Sequence, residues 1–206
     1  MSKNYKQIIN HYDASINKYG FTLKGLNWKS LKDNNLRFKI ASNYINKNDK
    51  TILDFGCGTS LFYQFLKKKK ININYSGLDT NKKVIDYGKK KFPKNKYFNF
   101  DILEKNSLKK KDKFDIILAN GLFTQKFRLK NDDMYEYLFK TLMKLNKHFK
   151  KKMIFNLLID CVDWKNPKNF YVNLDKLLKF LKKKISKKVI FRLDYSSYEM
   201  MVIIFK

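Results

Sequence analysis

Residues 51–59 read TILDFGCGT, and this stretch decides the fold. A short apolar run ends at Asp54 and Phe55 and passes into a turn that holds two glycines. The apolar positions that follow keep helical spacing: Leu61, Phe62, Phe65 and Leu66. The pattern therefore predicts a strand, a tight turn and a helix, which is the first unit of a doubly wound α/β fold. Glycine allows both the sharp bend and the close approach of a ligand to the backbone.

The alternation of strand and helix continues towards the C-terminus. Predicted strands cover residues 73–78, 97–100, 114–119, 153–159, 189–193 and 200–205, with helices over about 84–92, 134–145 and 173–184. The run FDIILA at 114–119 is apolar throughout, as is typical of a parallel strand buried on both faces. This order predicts a three-layer α/β sandwich with right-handed crossovers and a mostly parallel sheet. Because only DYSSYE separates the last two strands, we expect them to form an antiparallel hairpin.

The chain is predicted to fold as one α/β domain, residues 49–206, preceded by a helical extension, residues 1–48. Two helices, at about 4–18 and 32–46, are expected to cap the site. With 206 residues, 44% of them apolar, the sequence can bury a substantial core. It contains no apolar run long enough to span a bilayer and starts without a signal peptide, so we expect a soluble, cytoplasmic protein without membrane insertion. The two cysteines stand far apart, which disfavours a disulfide framework and a metal site.

The net charge of +28 admits two interpretations. A basic surface can bind nucleic acid, but only three of the 46 basic residues are arginines, which recognise phosphate best. Abundant lysine beside asparagine and isoleucine is also typical of the codon usage of an AT-rich genome. The lysine runs stand where we predict helix C-termini, at residues 67–70, 89–91, 150–152 and 182–184. Helix C-termini lie at the sheet edge opposite the ligand site, so we expect these lysines to be solvated.

A series of carboxylates ends three successive strands. Asp79 follows Asp54 by 25 residues, and Asp101 follows Asp79 by 22 residues. An acid at the end of the second strand is placed to accept hydrogen bonds from ribose hydroxyls, and one after the third from the adenine amine. The sequence therefore predicts an adenosine site. Leu61 replaces the third glycine of GxGxxG, and no phosphate-binding GxxxxGK[ST] is present, which disfavours dinucleotides and triphosphates.

These motifs together resemble the class I S-adenosylmethionine-dependent methyltransferases, through ILDFGCGT, GLD, NFDI and FDIILANGLF. The resemblance implies a Rossmann-like, seven-stranded sheet whose last strand is antiparallel. It implies S-adenosyl-L-methionine as cofactor and S-adenosyl-L-homocysteine as product. It also implies that Asp79 binds the ribose, that Asp101 binds the adenine amine, and that Asn120 and Gly121 lie beside the transferable methyl group. The other cofactor-binding positions predicted in these motifs are Asp54, Gly56, Cys57, Gly58, Thr59, Thr80 and Ile102.

A looser resemblance covers the N-terminus, through HYDASINKYGFTLKGLNWKS and LRFK. These segments, with NGLFTQK and DYSSYEMMVIIF, are similar to small bacterial methyltransferases encoded among surface-polysaccharide (O-antigen) genes. That similarity implies a small, sugar-like or phosphorylated acceptor. Tyr12 and Arg37 are candidates for pairing with the cofactor carboxylate or the acceptor. The candidates for binding the acceptor are Trp28, Lys126, Arg128, Tyr195 and Tyr198.

A sulfonium donor is already activated, so alignment and exclusion of water can suffice for transfer. His11 is the first candidate for a general base, with Asp194 and Glu199 as alternatives, and Asn120 is the other candidate catalytic residue. Methyl transfer to an oxygen of a small molecule is the leading hypothesis. An RNA methyltransferase that uses the lysines and a non-catalytic protein that binds S-adenosylmethionine remain alternatives. The sequence leaves open whether the protein is a monomer or a homodimer.

Overall fold

The computed structural model describes residues 4–104 and 108–206. Residues 105–107, the first part of the lysine-rich loop predicted at 105–113, lie outside the described residues. The helices are α1 (Lys6–Tyr19), α2 (Leu31–Ser42), α3 (Leu61–Lys68), α4 (Lys82–Lys91), α5 (Asn131–Asn146) and α6 (Leu174–Lys184). The strands are β1 (Thr51–Phe55), β2 (Asn74–Asp79), β3 (Lys96–Asn99), β4 (Phe114–Ala119), β5 (Phe149–Ile159), β6 (Tyr171–Val172), β7 (Lys188–Arg192) and β8 (Glu199–Phe205).

Seven strands form one sheet in the order β3-β2-β1-β4-β5-β8-β7, and β6 adds to β5 within the described residues. The ladders among β1 to β5 are parallel, whereas β8 runs antiparallel to both β5 and β7. The predicted fold class, a mostly parallel Rossmann-like sheet with an antiparallel last strand, is confirmed. The carboxyl ends of the parallel strands meet at one side, which we name the carboxyl edge; the opposite side is the amino edge.

Alternate residues of each central strand enter two apolar cores, one on each face of the sheet. On β1, for example, Leu53 packs into the core that contains α5 and α6, and Ile52 packs into the core that contains α2 and α3. Every residue of β4 is buried, as expected for a central parallel strand covered on both faces. The N-terminal helices share these cores, because Ile8 of α1 lies in the first and Phe38 of α2 in the second.

The structure differs from the sequence prediction mainly around β5 and β6. The strand β5 begins at Phe149 rather than at 153, so the lysine run 150–152 opens a strand instead of ending a helix. The core accepts Lys152 because its ammonium lies 2.7 Å from the buried carboxylate of Asp49. The two-residue strand β6 was not predicted, since two residues carry no periodicity. Helix α2 ends at Ser42 instead of 46. Among the described residues, no helix combines the length and apolarity required to cross a membrane.

Candidate functional site

A deep cleft, the first cleft, opens at the carboxyl edge of the sheet around the end of β1. It contains about 1140 Å³ free of protein atoms, its open mouth included. The residues predicted from sequence that line it are Tyr12, Trp28, Asp54, Gly56, Cys57, Gly58, Thr59, Asp79, Thr80, Asp101, Ile102, Asn120 and Gly121. The structure thus brings the four motifs of the α/β domain together with two residues of the N-terminal segment.

The glycine turn after β1 forms the floor of this cleft. Gly56 and Gly58 have φ angles of 76° and 48°, in the region that favours glycine. The turn is fastened to the next strand, because the backbone N–H groups of Gly56 and Cys57 both donate to the carbonyl of Leu78, at 2.8 and 3.0 Å. A short buried thiol fits at Cys57, and burial raises its pKa well above the ordinary value.

Asp79 ends β2 and is held by the backbone on both sides. One carboxylate oxygen accepts from the N–H of Gly58 at 2.9 Å, and the other accepts from the N–H of Asn81 at 2.9 Å. Burial raises the pKa of this carboxyl although the N–H donors oppose the shift. The two hydrogen bonds fix the orientation of the carboxylate, and the remaining lone pairs can accept from a ligand.

Asp54 lies beneath the turn and is more enclosed than Asp79. It accepts a hydrogen bond from the Tyr75 hydroxyl at 2.7 Å. Burial, with the charge of Asp79 as a smaller contribution, raises its pKa to about 7. The first cleft therefore contains a carboxyl group that gains or loses its proton near neutral pH.

Asp101, just beyond β3, connects the cleft to the start of the chain. Its Oδ1 accepts from the backbone N–H of Leu103 at 2.9 Å, and its Oδ2 accepts from the Tyr5 hydroxyl at 2.8 Å. The Tyr5 ring stacks on Tyr137, with centroids 5.3 Å apart. Sequence reasoning missed Tyr5 and Tyr137. Tyr137 could have been found as a polar-tipped residue on the apolar face of α5, whereas nothing local marks Tyr5.

A set of buried amides surrounds the end of β4. Asn120 donates to the side-chain oxygen of Asn34 at 2.9 Å, and Asn156 accepts from the backbone N–H of Gly121 at 2.6 Å. Each of these three amides retains one buried polar atom without a hydrogen-bond partner among the described residues. Buried amides are normally paired, so atoms of this kind beside a cleft are available to a ligand. Sequence reasoning also missed Asn34, although it shares the buried face of α2 with Phe38.

Helix α1 and the loop after it cover the first cleft. Ile8, Ile9 and Ile16 line it from α1, and Leu26 lines it from the loop. Polar contacts fasten α1 to the domain: Lys6 pairs with Glu104 at 2.7 Å, and Asp13 accepts from the Asn81 side chain at 2.7 Å. The N-terminal segment is therefore part of the site wall.

A second, shallower cleft adjoins the first one. The two clefts share four lining residues: Tyr12, Leu26, Trp28 and Gly121. The second cleft extends past Gln125 to Tyr198, which is 52% exposed. Of the acceptor candidates predicted from sequence, Trp28 and Tyr198 line it.

Arg37, one of the residues that line the second cleft, forms an ion pair with Glu199. The Arg37 guanidinium donates to both carboxylate oxygens of Glu199, with Nε 2.8 Å from Oε1. The Tyr195 hydroxyl donates to the same carboxylate at 3.1 Å, and Arg37 lies over the Trp28 ring at 5.3 Å. Arg37, predicted to bind the cofactor, thus lines the second cleft and pairs with a carboxylate of the protein itself. Tyr195, predicted to bind the acceptor, contacts that ion pair and lines neither cleft.

Three further predicted residues, His11, Lys126 and Arg128, are not among the lining residues of either cleft. The His11 ring stacks on Phe127 with centroids 3.8 Å apart, and burial together with the charge of Lys168 lowers its pKa. The Lys126 ammonium donates to the carbonyl of Leu129 at 3.3 Å, and Arg128 is exposed. Adjacent helical residues point about 100° apart, so Tyr12 faces the clefts while His11 faces Phe127.

The fold and the site define a methyltransferase domain. Residues 46–197 match the family model described as a methyltransferase domain, and the chain belongs to that family. No curated protein matches the sequence.

Solved structures of low sequence identity share the fold. One is a SAM-dependent methyltransferase from Archaeoglobus fulgidus, with a TM-score of 0.61 and 15% identity over 86% of this chain and 95% of that one. Another is a TehB-like SAM-dependent methyltransferase from Corynebacterium glutamicum, with a TM-score of 0.55 and 14% identity over 83% and 86%. A third is the magnesium protoporphyrin IX methyltransferase from Synechocystis with bound SAH, with a TM-score of 0.57 and 10% identity over 84% and 81%.

Proposed function

We propose that the protein transfers a methyl group from S-adenosylmethionine to an oxygen atom of a small, sugar-like or phosphorylated acceptor. The observation that carries the proposal is the arrangement of Asp79 in the first cleft. Two backbone N–H groups orient its carboxylate beside the glycine turn, and Asp101 lies two residues beyond the end of the neighbouring strand, β3. Membership of the methyltransferase-domain family and the fold of the solved neighbours support the same activity.

The residues of the first cleft fit S-adenosylmethionine. Because the two glycines have no side chains, the turn leaves room at the floor of the cleft. A Cβ at Gly56 would lie 3.0 Å from a side-chain atom of Leu122, and a Cβ at Gly58 would lie 3.2 Å from a side-chain atom of Leu26. Asp79 would accept from the ribose, Asp101 from the adenine amine, and the turn would hold the methionyl part. When bound, the cofactor supplies a methyl group already activated on a sulfonium, the species that a nucleophile attacks.

The chain's own residues then have to align the acceptor and exclude water. Tyr12 of α1, Leu26 and Trp28 lie where the two clefts meet. The unpaired oxygen of Asn120, next to Gly121, can accept a hydrogen bond from the hydroxyl of the acceptor. His11 could act as the general base only if its ring moved away from Phe127. The proposed mechanism therefore depends first on the alignment of the acceptor with the methyl group.

The position of the lysines favours a small acceptor over RNA. Lys70, Lys91 and Lys184 precede the starts of β2, β3 and β7, and residues 150–152 open β5. These runs therefore lie at the amino edge, away from both clefts. A polyanion held there would not be brought to the carboxyl edge.

Calorimetric titration with S-adenosylhomocysteine tests the cofactor assignment. We expect Asp79→Ala to weaken binding by about 100-fold, because charge-assisted hydrogen bonds of this kind contribute about 1.5–3 kcal/mol. Asp86→Ala is the matched control, since Asp86 is an exposed carboxylate that pairs with Lys82 on α4. Equal affinity of Asp79→Ala and the wild type would refute the ribose assignment.

Activity is tested with methyl-labelled S-adenosylmethionine and an extract of the cells from which the protein comes. We expect label in the small-molecule fraction, with or without nuclease. Label in macromolecules that nuclease releases would show that the acceptor is nucleic acid. Binding without any labelled product would refute methyl transfer and leave a cofactor-binding protein.

A further inference from the structure

The second cleft lies where an acceptor has to lie. It meets the first cleft at Trp28 and Gly121, and Gly121 lies two residues beyond the end of β4. A molecule in the second cleft is therefore adjacent to the part of the first cleft beyond the glycine turn. The cavity beside Tyr5, by contrast, shares one lining residue with the first cleft, Tyr137.

Two amides in the second cleft carry polar atoms that lack partners. They are Nδ2 of Asn27, a donor, and Oε1 of Gln125, an acceptor, and both atoms are shielded from solvent. The backbone of Asn27 lies in the left-handed region at φ 55°, which asparagine adopts more readily than most residues. A shielded amide atom without a partner is unfavourable. Because both residues line the second cleft, a rotation of each side chain would present these atoms to a ligand that supplies one acceptor and one donor.

A hydroxyl group meets this requirement and an ionised phosphate does not. A hydroxyl both donates and accepts, whereas the dianionic phosphate only accepts and would leave Gln125 Oε1 without a partner. The rings of Trp28 and Tyr198 provide apolar faces in the same cleft, against which the carbon skeleton of a ring can pack.

The charges of the second cleft also balance. The Arg37 guanidinium is neutralised by Glu199, whose side chain is 3% exposed. The other two charged lining residues, Lys29 and Asp33, are exposed and of opposite sign. Lys126 and Arg128, the candidates for holding an anionic acceptor, are absent from its lining. The positive charges of Arg37 and Lys29 are therefore matched by the negative charges of Glu199 and Asp33, and the described lining residues give the second cleft no net positive charge.

We infer that the second cleft binds an uncharged, hydroxyl-bearing ring molecule as the methyl acceptor, recognised by Asn27 and Gln125. The inference rests on the proposed function and narrows it, because it selects a neutral acceptor over a phosphorylated one. In the transfer, the hydroxyl oxygen forms a C–O bond as the C–S bond of the donor breaks. The electron pair stays on sulfur, and the hydroxyl proton passes to solvent.

The charge of the acceptor is tested first. The small-molecule extract is passed over an anion exchanger at pH 8, and both fractions are assayed with methyl-labelled S-adenosylmethionine. We expect at least ten times more label in products from the unretained, neutral fraction. Label mainly in products from the retained fraction would overturn the inference while leaving the methyltransferase activity established.

The two amides are tested next, with the neutral fraction as the acceptor source at a graded concentration. Gln125→Met removes the acceptor atom at nearly constant volume, and Asn27→Asp replaces the donor atom with a residue that tolerates the left-handed conformation. We expect each substitution to raise the acceptor concentration needed for half-maximal rate by tenfold or more. The affinity for S-adenosylhomocysteine should stay within twofold of the wild type.

The control is Gln7→Met, the same substitution at an exposed position of α1. It should match the wild type in both measurements. If Gln125→Met and Asn27→Asp also match it, the inference is wrong, although transfer itself stands. If neither fraction accepts label while S-adenosylhomocysteine still binds, the proposed function fails, and the inference fails with it.

Discussion

The glycine turn and Asp79 of the first cleft are organised by backbone groups, whereas the Arg37–Glu199 pair at the second cleft joins side chains from distant parts of the chain. In the first, the N–H groups of Gly58 and Asn81 orient Asp79. In the second, Arg37 reaches Glu199 across 162 positions of sequence. The glycine turn and its hydrogen bonds to Asp79 depend on two local motifs, so we expect this part of the first cleft to tolerate substitutions elsewhere. The second cleft depends on the whole fold, and single substitutions there should disturb both stability and recognition.

The largest test of this contrast is Arg37→Met. The substitution leaves the buried Glu199 carboxylate with the Tyr195 hydroxyl and no cation. We expect the free energy of unfolding to fall by about 4 kcal/mol in urea titration, because an unpaired buried charge is costly. The double variant Arg37→Met/Glu199→Gln should regain most of the loss.

Arg192→Met is the matched control, since Arg192 pairs with the exposed Asp194. It should cost much less, because water screens exposed ion pairs. Equal losses for the two arginine variants would show that the Arg37 pair is no more important for stability than a surface pair.

The second test concerns Asp54 in the first cleft. Its pKa of about 7 in the folded protein exceeds the ordinary value near 4, so the folded state keeps the proton over this interval while the unfolded chain loses it. Its contribution to stability is therefore full below pH 4 and disappears as the pH rises to 7. The expected loss is on the order of 3 kcal/mol.

The measurement is the unfolding free energy of the wild type and of Asp54→Asn at intervals from pH 4 to 8. The difference between the two proteins isolates Asp54 from Asp79, whose pKa is also raised. The wild type should lose stability relative to the variant as the pH rises. A difference that stays constant over this range would contradict the assignment.

The smallest test compares two glycines with positive φ angles, Gly121 and Gly58. A Cβ at Gly121 would meet the Trp28 ring at 2.4 Å, whereas one at Gly58 would meet a flexible Leu26 methyl at 3.2 Å. Both sites have a positive φ angle, and the much closer contact is at Gly121, so we expect Gly121→Ala to cost about 1 kcal/mol more than Gly58→Ala. In a Trp28→Ala background the excess should vanish in a double-mutant cycle. An excess that persists in the Trp28→Ala background would show that the extra loss of stability comes from the backbone conformation of Gly121 and not from contact with Trp28.

Local patterns were sufficient to predict the fold and the first cleft, for a physical reason. Strand periodicity places Asp79 and Asp101 at the same edge, and the glycine turn requires no distant partner. Asn34 could not be assigned a role, because its importance comes from Asn120, 86 positions away. His11 was the preferred base by residue type, yet helix rotation turns it away from the clefts. The roles assigned to individual site residues stay predictions.

The N-terminal wall of the clefts has an evolutionary consequence. The family match begins at residue 46, but the lining of the first cleft begins at Ile8. The sheet and its acidic series can therefore be inherited unchanged while the preceding 45 residues diverge. Exchange of that short segment would replace Asn27, Trp28 and Arg37 at once. In a relative that shares the α/β domain, such an exchange would change the walls of both clefts at once, because Ile8, Tyr12 and Ile16 of the same segment line the first cleft.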